Sequence, residues 1–240
     1  MFNLFPQYTI SLIQIHLLYI FVDRCGHYLF EFNYLYKMQC RNFYFDLGTN
    51  VGIQIDKLYN QSCQSPLQKI FAKVYSKRSE VCTFGFEPNP NHVTVLQSLS
   101  QKYLDFGYYI YIYHAFAGIE NTVSHLYLNP DFAYGKSNHL WTAGHKKQHN
   151  NNNTPIHIPT INILPILQSI SSNSNVVVKM DIEHDEKVIL PALNRSHLLC
   201  KIKYLVVEWH GSRTILNNVK HTMSCNNTQI IEIDDNVKCL

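Results

Sequence analysis

FYFDLGTNVGIQIDKLY, from Phe43 to Tyr59, is the stretch that decides how the rest of the chain is read. Phe43, Tyr44 and Phe45 form a short apolar run that meets Asp46, Gly48, Asn50 and Gly52. Beyond it, Ile53, Ile55, Leu58 and Tyr59 recur close to the spacing of one helix face. That order predicts a buried strand, a tight glycine turn and a helix N-terminus. Glycine puts no Cβ in the way, so the turn is expected to offer backbone N–H groups to a ligand. The loop is neither G-x-G-x-x-G nor a P-loop, since the Gly-Lys-Ser/Thr ending is missing. Taken alone, it also reads as an ordinary strand-to-helix turn of an α/β domain.

With 240 residues the chain is long enough for one α/β domain and an extension. Hydrophobic residues make up 46% and charged residues 15%, which points to a globular chain. The net charge is only +3, and the densest basic groups, Lys73 to Arg78 and Lys146-Lys147, read as solvated faces. No nucleic-acid partner is expected. Seven cysteines include no C-x-x-C pair and thirteen histidines are dispersed, so no metal site is expected. An odd cysteine count leaves a thiol without an intramolecular partner, which mildly favours a reducing, cytoplasmic compartment.

Met1 to Val22 holds no charged residue, and Ile10 to Val22 is largely apolar. Neither a positive start nor a small-residue cleavage site accompanies it. Ser11, Gln14 and His16 interrupt the run, which is short for a membrane span of ~20 residues. It reads as a helix packed on the domain, with a signal anchor, and hence membrane association through the N-terminus, as the alternative. The chain accordingly divides into an apolar, aromatic extension, 1–40, and a domain, 41–240. Sequons begin at Asn60, Asn152, Asn194 and Asn226, and matter only in the secretory pathway.

From Asp23 to Arg41 a lead-in helix is expected. Strands follow at Phe43 to Asp46, Val81 to Phe86 and Tyr108 to Ala117, the last continuing into Val123 to Leu128 as a hairpin-like pair. Helices are read over Leu67 to Lys77 and His92 to Leu104, and a strand and helix between Ile156 and Ile170. Asn129 to Ile156 is polar and reads as a lid or acceptor-binding loop, its His139, His145 and His149 solvated. Late strands are Asn175 to Asp181, Tyr204 to Trp209 and Gln229 to Asp234. Continuous apolar strands alternating with helices predict a doubly wound, mostly parallel sheet covered on both faces. In such sheets ligands bind beyond the carboxyl ends of the strands, where Asp46, Glu87, Asp181 and Glu208 all fall. Glu87, ahead of a proline turn, suits a ligand with vicinal hydroxyls. Its alternative is an acid at a helix start, with Asn89 or Asn91 as the cap.

DLGTNVG (Asp46–Gly52), FEPNP (Phe86–Pro90), KMDIEHDE (Lys179–Glu186) and VEWH (Val207–His210) resemble, in that order, the motifs of FkbM-type S-adenosylmethionine-dependent methyltransferases. The resemblance runs from about Arg41 to the C-terminus. It implies a Rossmann-like sheet of the class I methyltransferase type, behind an N-terminal helical extension. It also implies S-adenosylmethionine as cofactor. The loop with Asp46, Gly48, Asn50 and Gly52 would cradle the methionine part, and Glu87 would take the ribose hydroxyls. Asp181 would lie where cofactor and methyl acceptor meet, with Glu183 and Glu186 in the same signature. The acceptor implied is a hydroxyl on a sugar or other glycan, a lipid or a small metabolite. Asp181, His184 and His210 are the candidates for the base that takes its proton, Asp181 first.

Glu183 and Glu186 can instead serve as dipole-compensating acids of the next helix. The family's usual glycine is replaced by His184, and the gap from Asp46 to Glu87 predicts an insertion near Asn60 to Lys77. Two other functions stay open. One is a catalytically silent relative that binds cofactor or a partner, with His184 as its sign. The other is a nicotinamide-dependent oxidoreductase, against which stand the missing third glycine and a ribose acid not ~20 residues onward.

Overall fold

Strands buried on both faces cannot alternate polar and apolar residues, and the continuous apolar runs of this chain are such strands. The computed structural model describes residues 21–22, 28–29, 40–60, 64–128, 143–144, 154–183 and 185–233. Its strands, in chain order, are β1 (Phe21–Val22), β2 (Tyr28–Leu29), β3 (Asn42–Leu47), β4 (Val81–Phe86), β5 (Tyr109–Tyr113) and β6 (Phe116–Gly118). They continue with β7 (Thr122–Leu128), β8 (Ala143–Gly144), β9 (Ile156–Asn162), β10 (Asn175–Met180), β11 (Tyr204–Val207) and β12 (Gln229–Glu232). Six form one wholly parallel sheet in the order β12-β11-β10-β3-β4-β5. The Rossmann-like α/β sheet expected from the sequence is therefore present. Its order reverses between β3 and β10, and a crevice opens beyond the carboxyl ends at such a reversal.

Alternate residues of each strand face opposite layers. Phe43, Phe45 and Leu47 join Phe84, Val178 and Val207 in one core, while Tyr44 joins Val177 and Val206 in the other. The second core takes Ile55 and Leu58 from α1 (Ile53–Tyr59) and Leu67 and Phe71 from α2 (Pro66–Val74). Helix α2 lies in the segment where an insertion is expected, between Asp46 and Glu87. Ser65 starts it by accepting a hydrogen bond from the Gln68 N–H at 3.1 Å, with Pro66 in the first turn. Helix α3 (Val93–Asp105) covers the sheet beside β5.

Two expectations change. Strands β6 and β7 do not pair as a hairpin, because β9 lies between them, parallel to β6 and antiparallel to β7. The apolar side chains Phe116, Leu126 and Ile158 meet only in that arrangement, and Ser124 and Thr160 hydrogen-bond across it at 2.6 Å. Where a lead-in helix was expected, β2 pairs antiparallel with β1. Among the cysteines, Cys40 is bonded to Cys82 and Cys200 to Cys225. These partners are 42 and 25 residues apart in sequence, and only the sheet brings them together. Among the described residues no helix is long and apolar enough to cross a membrane. His139, His145, His149, His184, most of the expected lid and most of the extension lie outside the described residues.

Candidate active site

The loop from β3 to α1 turns by placing alternate residues in left-handed backbone: Gly48 at φ +81, Asn50 at +54 and Gly52 at +86. Gly48 is needed twice over, since a Cβ there would also collide with the carbonyl oxygen of Asp181. The N–H groups expected to face a ligand are largely engaged within the protein. Gly48 and Thr49 both donate to the Phe86 carbonyl at 3.0 Å, Asn50 donates to Glu87 Oε2 at 2.7 Å, and Gly52 donates to the Thr49 carbonyl at 2.9 Å. The loop is thereby tied to the end of β4 on one side and packed on the end of β10 on the other.

Glu87 is buried, and each of its oxygens accepts one backbone N–H, Oε2 from Asn50 and Oε1 from Asn89 at 2.8 Å. Each carboxylate oxygen has a second lone pair, and beside Oε1 stands the His92 imidazole with Nδ1 3.4 Å away. The capping alternative is met by a neighbour: the Asn89 side chain accepts from the Asn91 N–H at 3.0 Å. Beside Glu87 opens a largely apolar groove lined by Val93, Leu96, Ile112, Tyr113 and His114. A planar ring with a hydroxylated neighbour fits that pairing of surfaces.

Strand register sets Lys179 directly opposite Asp46. Asp46 is fully buried, with the Tyr44 hydroxyl and the Lys179 ammonium as polar neighbours. Burial pushes its pKa up to about 6, against the pull of the Lys179 ammonium 3.7 Å away. Lys179 donates to the Gly48 carbonyl at 2.8 Å and to Asp181 Oδ2 at 3.2 Å. Burial opposes the lysine's charge, but Asp181 and Asp46 outweigh it and hold its pKa above the ordinary value. A buried carboxyl group beside such a loop is one that a cationic ligand would complement. Lys179 had been assigned no role; its signal was a lysine closing the Val-rich run NVVVKM.

The third segment follows β10. Asp181 continues the ladder by donating its N–H to the Leu47 carbonyl at 3.0 Å. Glu183 stands at φ +52, and burial raises its pKa while His210 works the other way. Glu186 opens the helix Glu186–Arg195 and is 1% exposed. Its Oε1 accepts from the Ile182 N–H, ahead of the helix, at 2.8 Å and from His210 Nδ1 at 3.1 Å. His210 Nε2 lies 3.5 Å from Glu208 Oε1. Its bonds to Glu186 and Glu208 outweigh burial and raise its pKa to about 10, so the imidazole is protonated at neutral pH. Of the three base candidates, Asp181 and His210 share one cluster and His184 lies outside the described residues.

A family model described as Methyltransferase FkbM domain matches residues 46–231, a span that holds all four motif segments. No curated protein and no solved structure matches the chain.

Proposed function

The chain belongs to the FkbM methyltransferase family, and we propose that it transfers the methyl group of S-adenosylmethionine to a hydroxyl oxygen of a sugar, a lipid or a small metabolite. The domain 41–240 would carry this activity, with 1–40 as a separate extension. One observation carries the reading. The loop at Gly48 is bonded to Glu87 and packed against Asp181, so the three motif segments meet at one carboxyl edge of the sheet.

S-adenosylmethionine, when bound, supplies a methyl group on a sulfonium centre. The protein's part is to hold and to orient. Glu87 offers its remaining lone pairs to vicinal hydroxyls, and the groove at Val93 and Leu96 takes an apolar ring. Asp46 and Asp181 favour a cationic ligand by simple attraction. Methyl transfer is an in-line displacement, so positioning of the acceptor contributes most. Asp181, partly exposed and oriented by Lys179, takes the acceptor's proton. His210 already carries a proton at neutral pH and acts as a fixed positive charge instead.

The test is calorimetric titration of the full chain with S-adenosylmethionine and, separately, with NAD. Saturable binding of S-adenosylmethionine alone is expected. Binding of NAD alone, or of neither by a chain shown to be folded, overturns the reading. Asp181→Ala is expected to abolish methyl transfer to a panel of hydroxyl acceptors while cofactor affinity is retained. Turnover that survives it removes Asp181 from the base role.

A further inference from the structure

Both disulfides lie at the amino edge of the parallel sheet, opposite the acids. Cys40 stands just ahead of β3, and Cys82 near the start of β4. Cys200 belongs to the short turn Leu198–Lys201 that precedes β11, and Cys225 to the segment that leads into β12. Protein disulfides persist where thiols are oxidised, as in a secretory lumen or outside the cell. The two bridges outweigh the odd cysteine count, which leaves one thiol over however many bridges close. In such a compartment a sequon becomes an acceptor for glycan. One sequon adjoins a bridge, since Cys225 is followed directly by Asn226-Asn227-Thr228. We propose that Asn226 carries an N-linked glycan, on a chain whose bridges close in the same oxidising lumen.

The fold favours this sequon over Asn194. Asn226 and Asn227 are exposed in the turn between the helix Arg213–Thr222 and β12. A glycan is bulky and hydrated, and an exposed turn lets it project into water without displacing packed side chains. Asn194 lies near the end of the helix Glu186–Arg195, half-buried, and its amide donates to Thr222 Oγ1 of the neighbouring helix at 2.9 Å. A sugar on that nitrogen would crowd the contact between the two helices. Asn152 and the Ser62 of the Asn60 sequon lie outside the described residues.

Thr228 fixes the order of events. Its hydroxyl, the part of the sequon that must be presented with the asparagine, donates in the folded chain to the Leu199 carbonyl at 2.8 Å, and the residue is buried. Next to Leu199, Cys200 is bonded to Cys225. The sequon is therefore read while this turn is still open, and the hydrogen bond and the bridge close it afterwards. In the transfer the Asn226 amide nitrogen bonds to the anomeric carbon of a glycan carried on a lipid pyrophosphate. The bond from that carbon to the pyrophosphate oxygen breaks, the pyrophosphate leaves with the electron pair, and one amide proton passes to a base of the glycan-transferring enzyme. To close the bridge, two thiols lose two protons and two electrons to a disulfide donor, which becomes a dithiol. The inference does not rest on the methyl-transfer reading. Asp46, Glu87 and Asp181 stand at the carboxyl ends of their strands, across the sheet from Asn226.

The experiment isolates the full-length protein from the cells that make it, with free thiols blocked at lysis. Its peptides are mapped by mass spectrometry before and after an amidase that releases N-linked glycan and leaves aspartate in place of the asparagine. The peptide containing Asn226 is expected only after that treatment, with position 226 recovered as aspartate. Cys200 and Cys225 are expected linked to each other, and open to blocking only after a reductant is added. An Asn226 peptide recovered wholly unmodified, or thiols already blocked at Cys200 and Cys225, overturns the proposal. In the same cells Asn226→Gln should lose one glycan by gel mobility, and Asn194→Gln should migrate as the parent does. Asn226→Gln alters an exposed turn residue and leaves the packed side chains in place. A mobility unchanged by Asn226→Gln places any glycan elsewhere and equally overturns the site.

Discussion

Glu87 and His210 show how far single residues can be read. Glu87 was legible because it directly follows a buried strand and precedes a proline turn, both local features. Hydrogen bonds to a charged group contribute about 1.5–3 kcal/mol each. Glu87→Ala removes every such bond at this position and also frees the Asn50 N–H. Cofactor affinity should therefore fall tenfold or more by calorimetry, roughly 1.4 kcal/mol per factor of ten; an unchanged affinity would show that Glu87 only anchors the loop. His210 is a base candidate through the VEWH motif, but its protonation is set by Glu186, 24 residues earlier. With its pKa raised from 6.5 to about 10, His210 binds a proton more tightly when folded. That stabilisation is complete below about pH 6.5 and is lost as pH rises through about 10. Unfolding measured across pH 6–10 should fall in stability for the parent chain, and the slope should flatten in His210→Gln. Equal slopes would contradict the Glu186 and Glu208 contacts.

Among the elements, the glycine loop was predicted in the right place with the wrong contacts. Its N–H groups turn out to bond β4 and its own turn, which the local order of residues does not reveal. Gly48 and Gly107 offer a controlled comparison, since their φ angles are +81 and +80. A Cβ at Gly107 meets nothing within 4 Å, whereas one at Gly48 strikes the Asp181 carbonyl. Gly107→Ala should cost only the left-handed penalty of about 1–2 kcal/mol, and Gly48→Ala clearly more. Denaturant unfolding of the two variants checks this, and equal losses would mean that β3 and β10 ends are not packed at Gly48. The β6, β7 and β9 arrangement escaped sequence reading for a similar reason. Adjacent strands in sequence are a fair default for pairing, but the apolar faces here are matched by a strand that arrives some 30 residues later.

At the scale of the molecule, α2 is part of the core. Phe71 is fully buried and packs edge-on against Tyr44 of the central strand at 4.8 Å between ring centroids. Phe71→Ala should lower global stability by about 3–5 kcal/mol, with one unfolding transition by both far-UV and aromatic signals. A second transition, or a loss confined to α2, would make that helix an appendage. By itself the sequence determined the strands of the parallel sheet, the glycine turn, the acids at the strand ends and the family, because each depends on residues a few positions apart. Only the tertiary structure decided that Lys179 faces Asp46, that Glu186 holds His210 and that Cys200 meets Cys225. Those contacts join residues that share no local pattern, and they exist because parallel strands must be brought into register by helices that cross between them.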